Sequence, residues 1–181
     1  MFVVSGPSGA GKGTLIRGVL EGVPDLAVAV SCTTRAKRPG EVDGREYHFM
    51  SRAEFARLVD DGAFLEHAEF AGNRYGTLNS ELDRIMDGGR SVILEIELQG
   101  ARNVRRARPQ CISIFIAPPS LEELGRRLRA RATDAEEEID ARLQVARTEI
   151  AAETEFDHVI LNDDVDRATT HLVSVIEAAT P

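Results

Sequence analysis

The chain has 181 residues, a hydrophobic fraction of 43% and a net charge of −8 at pH 7. This length and this hydrophobic fraction suit a single globular domain with a buried core. The acidic balance argues against a nucleic-acid coat or a membrane-surface binder, because both carry an excess of basic residues. No apolar run is long enough to cross a membrane. We therefore expect a cytoplasmic protein in which Cys32 and Cys111 stay reduced, and we leave its oligomeric state open.

Short runs rich in Val and Ile recur along the chain between helical patterns, which indicates an α/β fold with buried parallel strands. The runs are residues 2–4, 26–30, 91–96, 111–117 and 158–161. Capping-box spacings at Ser51/Glu54 and Ser120/Glu123 predict two helix starts. A last helix is predicted over about residues 164–179.

Two insertions interrupt the alternation of strands and helices. Residues 31–79 read as a small mixed α/β lobe, and residues 120–150 read as a helical lid rich in arginine. In the lid, Ile139, Leu143, Ala146 and Ile150 recur at helical spacing. We expect a ligand at the carboxyl ends of the strands, with both insertions closing over it. The remaining core comprises about residues 1–30, 80–119 and 151–181.

The sequence GPSGAGK at residues 6–12 fits the pattern G-x-x-x-x-G-K between a predicted strand and a predicted helix. Such a loop directs backbone N–H groups and a helix N-terminus at phosphate, and Lys12 can reach the β- and γ-phosphates. Gly13 stands where a Ser or Thr usually binds Mg²⁺, and Thr14 follows. We therefore expect Mg²⁺ to be held mainly by substrate phosphates and water, without a direct protein ligand. The predicted ATP-binding residues are Gly6, Pro7, Ser8, Gly9, Ala10, Gly11, Lys12, Gly13 and Thr14.

A second motif, SCTTRAKRPGEVDGREY, occupies residues 31–47. It resembles the nucleoside-monophosphate-binding signature of guanylate kinases. The resemblance continues through residues 66–77, 94–101, 126–143 and 156–164, so it covers essentially the whole chain. It implies the P-loop nucleoside-monophosphate kinase fold, with a parallel five-stranded core sheet and helices on both faces. It also implies transfer of the γ-phosphoryl group of ATP to GMP, and to dGMP, in purine nucleotide metabolism.

The resemblance assigns the GMP phosphate to Arg35 and Arg38, with hydroxyl hydrogen bonds from Tyr47 and Tyr75. Planar guanidinium groups that are always charged suit bidentate contacts to phosphate. The alternative is that these arginines are surface residues and that the tyrosines pack in the core.

The resemblance assigns the guanine base to Glu66, which would accept from the two ring-edge donors, and to the hydroxyls of Ser31 and Thr77. Adenine reverses this donor–acceptor pattern, so a closed site of this kind excludes AMP. Glu97, where the family usually has Asp, is a further contact on the guanine side. Strand alternation at the end of residues 91–97 puts Glu95 and Glu97 on one face.

The resemblance also assigns Arg131 and Arg142 to the transferring phosphoryl group, beside Lys12. Positioned cations are the main catalytic device in phosphoryl transfer. Asn162 either contacts adenine or caps the last helix.

Two other classes of protein fit parts of the sequence. GKGT at residues 11–14 is the adenylate-kinase variant of the phosphate loop, so another nucleoside-monophosphate kinase is one alternative. A non-catalytic guanylate-kinase-like interaction module is the other. The retention of Lys12, Arg35, Arg38 and Arg142 argues against the second alternative.

Overall fold

The computed structural model describes residues 1–70, 72–130 and 136–180. The strands are β1 (Phe2–Ser5), β2 (Leu26–Val28), β3 (Cys32–Thr33), β4 (His48–Phe49), β5 (Phe64–Phe70), β6 (Asn73–Leu78), β7 (Ser91–Glu95), β8 (Ile112–Ala117) and β9 (His158–Leu161). The helices are α1 (Lys12–Gly22), α2 (Arg52–Asp60), α3 (Asn79–Met86), α4 (Leu98–Ala107), α5 (Leu121–Ala130), α6 (Glu136–Ala151) and α7 (Val165–Ala178). A 3-10 turn covers Glu153–Glu155.

The strands form a five-stranded sheet of order β2-β7-β1-β8-β9 and a four-stranded sheet of order β4-β3-β6-β5. Each of the five Val- and Ile-rich runs contains one strand of the larger sheet. The pairs β1–β8, β2–β7 and β8–β9 are parallel. The α/β class and its five-stranded parallel sheet are therefore confirmed.

The chain divides into two compact units, and one of them comprises residues 2–24, 95–98 and 112–181. Its parallel strands β1, β8 and β9 are apolar, and β1 is buried along its whole length. Helices α5 and α6 pack together through a buried cluster of Leu124, Leu128, Ile139 and Ala146. Helix α7 occupies the predicted range, and Asp164 caps it by accepting a hydrogen bond from the Arg167 backbone N–H at 2.9 Å.

Helix α6 buries a carboxyl group beside its apolar residues. Its buried residues are Ile139, Ala146 and Glu149, whereas Ile150 is only half-buried. Positions three and seven residues apart share one face of a helix, so Glu149 follows Ala146 on the buried side. The four apolar residues predicted at helical spacing all lie on α6, and the carboxyl group of Glu149 lies among the buried residues of the same helix.

The other unit comprises residues 1, 25–94 and 99–111. It contains the parallel pair β2–β7 and the smaller sheet, in which β3–β4 is parallel while β3–β6 and β5–β6 are antiparallel. The predicted capping box at Ser51 and Glu54 is confirmed at the start of α2. At Ser120 only the serine half is present, since its Oγ accepts from the Glu123 N–H while the Glu123 carboxylate pairs with arginines.

Across the three described ranges, every helix is too short or too polar to cross a bilayer.

Candidate active site

The phosphate loop connects β1 to α1 and turns tightly before the helix. The Ala10 N–H donates to the Pro7 carbonyl, and the Thr14 N–H donates to the Gly11 carbonyl, each at 3.0 Å. Gly11 is the N-cap residue, with φ at +95°, a value that favours glycine. Among the described residues no side chain caps α1, and its first turn has no acidic residue. The positive end of α1 is therefore suited to an anion.

Lys12 folds back over the loop that precedes it. Its Nζ donates to the carbonyl oxygens of Gly6, at 2.6 Å, and Pro7, at 3.2 Å. These contacts hold the ammonium group on the loop, where a compact cation can bind phosphate oxygens.

Asn162, in the loop after β9, holds the phosphate loop from a distant part of the sequence. Its side chain is buried, and its Nδ2 donates to the Ala10 carbonyl at 2.7 Å. A Cβ atom on Gly11 would lie only 2.3 Å from this Nδ2. Since Asp164 caps α7, the capping role considered for Asn162 is wrong. Only the resemblance around residues 156–164 pointed to this asparagine.

Three carboxylates lie in the same compact unit as the phosphate loop: Glu95, Glu97 and Glu149. Strand β7 ends at Glu95, so the strand-alternation reason for placing Glu97 on the same face is wrong. A Cβ atom on Gly13 would lie 3.6 Å from Oε2 of Glu95. Burial raises the pKa of Glu149 to about 7, although the nearby charge of Lys12 lowers it and that of Glu97 raises it. Glu149 is a titratable group that the sequence did not single out.

The arginines of α5 and α6 fall into two groups. Arg126 and Arg129 make exposed ion pairs with Glu123 and Glu136, which fits solvation of the helices. Arg127 is more enclosed: it pairs with Glu123 at 2.9 Å and donates to the Asn162 carbonyl at 3.0 Å. Arg127 could not be singled out from the sequence, because nothing in its spacing separates it from neighbouring arginines.

Of the two arginines predicted to act in phosphoryl transfer, the structure describes one. Arg142 lies half-buried on α6. Arg131 lies outside the described residues.

Three of the residues predicted to read guanine form one hydrogen-bonded chain in the other unit. Glu66 and Thr77 are direct cross-strand partners on β5 and β6, and the Thr77 hydroxyl donates to Oε1 of Glu66 at 2.9 Å. The Ser31 and Thr77 hydroxyl oxygens are 3.2 Å apart. Because the hydroxyl hydrogen of Thr77 is donated to Glu66, Ser31 is the donor in this second bond. Glu66 and Thr77 are buried, with exposures of 5% and 0%.

The residues predicted to bind the GMP phosphate are partly assembled. The guanidinium carbon of Arg35 lies 5.5 Å from the ring centroid of Tyr47, and the rings of Tyr47 and Tyr75 are 5.9 Å apart in an edge-on arrangement. Arg38 is exposed. Arg35 also donates two hydrogen bonds to Glu41, a partner that no motif in the sequence indicates.

Comparison with known proteins gives a family match over almost the whole chain. The family model described as guanylate kinase matches residues 1–179. The guanylate kinase of Rubrobacter xylanophilus is 54% identical over 176 residues, covering 97% of this chain and 92% of that protein. The guanylate kinase of Frankia casuarinae is 53% identical over 176 residues, covering 97% and 96%.

Solved structures give the same result. The crystal structure of guanylate kinase from Anaplasma phagocytophilum aligns with a TM-score of 0.82 at 37% identity, covering 99% of this chain and 85% of that chain. A shikimate kinase from Bacteroides thetaiotaomicron aligns with a TM-score of 0.53 at 16% identity, covering 97% of each chain, and shares the fold alone.

A phosphate loop on a five-stranded parallel sheet, together with this second set of arginines, hydroxyls and a buried carboxylate, defines a P-loop nucleoside-monophosphate kinase. Such enzymes are phosphotransferases. The match over residues 1–179 and the identities above 50% narrow the class further. The chain belongs to the guanylate kinase family, whose reaction transfers the γ-phosphoryl group of ATP to GMP.

Proposed function

We propose that this chain phosphorylates GMP, and also dGMP, with ATP and Mg²⁺, in the purine nucleotide metabolism of the cytoplasm. Neither nucleic acid nor a membrane is a partner in this proposal. One observation carries it: the Ser31–Thr77–Glu66 chain of hydrogen bonds, which presents a buried carboxylate beside two hydroxyls.

Guanine suits this set because its N1–H and exocyclic amine are both donors. Glu66 gives one carboxylate oxygen to Thr77 and has further acceptor capacity for the base. Ser31 and Thr77 can turn their hydroxyls to donate to the guanine O6. Glu97 adds a carboxylate on the base side. AMP lacks both of these guanine donors, so the buried carboxylate of Glu66 would keep its bond from Thr77 but lose the bonds to the base, which is costly.

The phosphate of GMP is bound in this proposal by Arg35, Arg38, Tyr47 and Tyr75. The proximity of Arg35, Tyr47 and Tyr75 supports this grouping. Charge-assisted bonds from guanidinium groups are among the strongest available for phosphate.

ATP is bound by the loop of residues 6–14, and Lys12 stabilises the charge of the transferring phosphoryl group together with Arg131 and Arg142. A phosphate oxygen of GMP attacks the γ-phosphorus in line, and ADP leaves. Most of the rate enhancement then comes from positioning and from the fixed positive groups. The approach of Lys12 to the loop carbonyls supports its part.

The residues present fit a magnesium ion that takes most of its ligands from phosphate and water. Within residues 1–70, 72–130 and 136–180, no three His, Cys, Asp or Glu side chains come together as a metal-binding group. Gly13 offers no hydroxyl, and a Cβ atom there would lie 3.6 Å from Oε2 of Glu95. When bound, Mg²⁺ neutralises negative charge on the phosphates.

In this proposal each region predicted from the sequence has its own role. ATP binds to the core of about residues 1–30, 80–119 and 151–181. Residues 31–79 carry GMP, and residues 120–150 act as a lid over the phosphates.

A coupled assay of ADP release tests the proposal with the full chain, ATP·Mg²⁺ and five separate acceptors: GMP, dGMP, AMP, CMP and UMP. We expect turnover with GMP and dGMP alone. Turnover with AMP would contradict the roles of Ser31, Glu66 and Thr77. Binding of GMP without turnover would favour the interaction-module alternative.

A further inference from the structure

The guanidinium group of Arg35 has five N–H donors, and within the part of the chain that the structure describes three of them are in use. Nη2 donates to Oε1 of Glu41 at 2.7 Å, and Nη1 donates to Oε2 of Glu41 at 3.1 Å. Nη1 also donates to the Ala36 carbonyl at 2.7 Å. The remaining donors are the Nε hydrogen and the second Nη2 hydrogen, which lie together on one side edge of the planar group. That edge matches two oxygens of a phosphate.

Glu41 is itself held by the loop. Its Oε2 also accepts from the Arg38 backbone N–H at 2.7 Å. The side chains of Arg35 and Glu41 are only 14% and 17% exposed, so the pair is better enclosed than a surface ion pair. The hydrogen bond between the two side chains raises the pKa of Arg35 and lowers that of Glu41, so both groups stay charged at neutral pH.

The rings beside the pair restrict the guanidinium further. Its carbon lies 5.5 Å from the Tyr47 centroid and 5.7 Å from the Phe49 centroid. Arg35 is therefore fixed by a carboxylate, a carbonyl and two aromatic rings. A long side chain that is already ordered loses less conformational freedom when it binds a ligand.

We propose that Glu41 is a positioning residue, which holds Arg35 so that its Nε/Nη2 edge remains for the phosphate of GMP. This role rests on the proposed function. It also divides the work between the two arginines. Arg35 and Glu41 together carry no net charge, so the pair orients the phosphate, while the exposed Arg38 adds the further positive charge that attracts it.

Replacing Glu41 by Gln separates this role from a simple effect of charge, because the two explanations predict opposite changes in the affinity for GMP. If only charge matters, removing a carboxylate near a bound phosphate strengthens GMP binding. If Glu41 positions Arg35, the substitution weakens it. We expect the Kd for GMP to rise about tenfold in Glu41→Gln, the scale of one hydrogen bond to a charged group.

The measurement is calorimetric titration of the full-length variant with GMP and, separately, with guanosine. Guanosine lacks the phosphate, so its Kd should change less than about twofold if Glu41 acts through Arg35. The matched control is Glu46→Gln in the same loop, because Glu46 pairs with the more exposed Arg45. We expect this control to bind both ligands like the wild type.

A double-mutant cycle completes the test. In an Arg35→Ala background, Glu41→Gln should cause no further loss of GMP binding, since the group it positions is gone. Tighter or unchanged GMP binding in Glu41→Gln would overturn the inference, and so would an equal loss of guanosine binding. A wild-type chain that does not bind GMP would overturn the proposed function and this role with it.

Discussion

Residues 6–14 and residues 31–47 both suit a phosphate group, but they are built from different parts of the chain. The first loop relies on backbone N–H groups, the end of α1 and one lysine that is held by loop carbonyls. The second relies on side chains: an arginine paired with a carboxylate, a second arginine that is exposed, and the tyrosine rings beside them.

This difference shows that the two sites should fail in different ways. A backbone site depends on the shape of the loop, so an added Cβ atom damages it while a change in nearby charge has a smaller effect. A side-chain site depends on paired charges, so it tolerates backbone substitutions that leave those pairs intact. The chain is acidic overall, and both sites concentrate positive charge locally.

The largest effect should come from Lys12→Ala, which removes the one side-chain cation of the backbone site. We expect kcat to fall about 10³-fold, because a positioned charge on the transferring group is lost. GMP binding, measured by calorimetry, should change less than about twofold. The control is Lys37→Ala, an exposed lysine in the other region, which should keep kcat. A large loss of GMP binding in Lys12→Ala would contradict the assignment of Lys12 to the ATP side.

Glu149 is a buried carboxyl group near Lys12, so its ionisation tests the surroundings of the first loop. Its pKa of about 7 lies above the ordinary value of 4.5. Below pH 4.5 the folded and unfolded states are both protonated there, and the folded state loses stability as pH rises to 7, where the unfolded chain ionises first. Above pH 7 the full cost, about 3 kcal/mol, is present.

Glu149→Gln should therefore raise the free energy of unfolding at pH 8 by about 3 kcal/mol and leave it nearly unchanged at pH 4. Urea unfolding at several pH values measures this. The exposed Glu137 on the same helix provides the control, since Glu137→Gln should follow the wild type at every pH. An equal gain at pH 4 and pH 8 would show that ionisation of Glu149 is not the cause.

Glu66 is a buried carboxyl group in the unit that contains residues 31–47, and it accepts a hydrogen bond from Thr77. Glu66→Gln keeps the shape but replaces one acceptor by a donor, so the KM for GMP should rise about 30-fold. The KM for ATP should stay within about twofold. Glu69→Gln, exposed on the same strand, is the control. Equal losses for GMP and ATP would contradict the base-reading role of Glu66.

The sequence predicted the features that depend on local patterns. Buried parallel strands need continuous apolar runs, so β1, β2, β7, β8 and β9 were visible. The phosphate loop was visible because its residues are contiguous. The partner of Arg35 was not, although Glu41 lies only six positions away, because nothing in the spacing distinguishes a carboxylate that pairs from one that is solvated.

Contacts between distant segments were also missed, for a physical reason. Asn162 and Ala10 are 152 residues apart, and Arg127 and Asn162 are 35 apart. Neither contact has a periodic signal, since both arise only once the strands are in register. The burial of Glu149 was missed because a charged residue gives no apolar signal at helical spacing.

The smallest expected effect compares one glycine from each phosphate region. Gly11 and Gly40 both have positive φ, of +95° and +85°. An alanine costs about 1 kcal/mol in this conformation at either position. At Gly40 the new Cβ would meet no atom of the described residues within 4 Å. At Gly11 it would lie 2.3 Å from Nδ2 of Asn162.

Gly11→Ala should therefore be less stable than Gly40→Ala by about a further 1 kcal/mol, because the new Cβ displaces the buried bond from Asn162 to the Ala10 carbonyl. Urea unfolding of both variants gives this difference, and ATP titration shows where function is lost. Gly11→Ala should weaken ATP binding, whereas Gly40→Ala should leave it intact. Equal stability of the two variants would mean that Asn162 moves aside freely, and the backbone site would then depend less on shape than its contacts indicate.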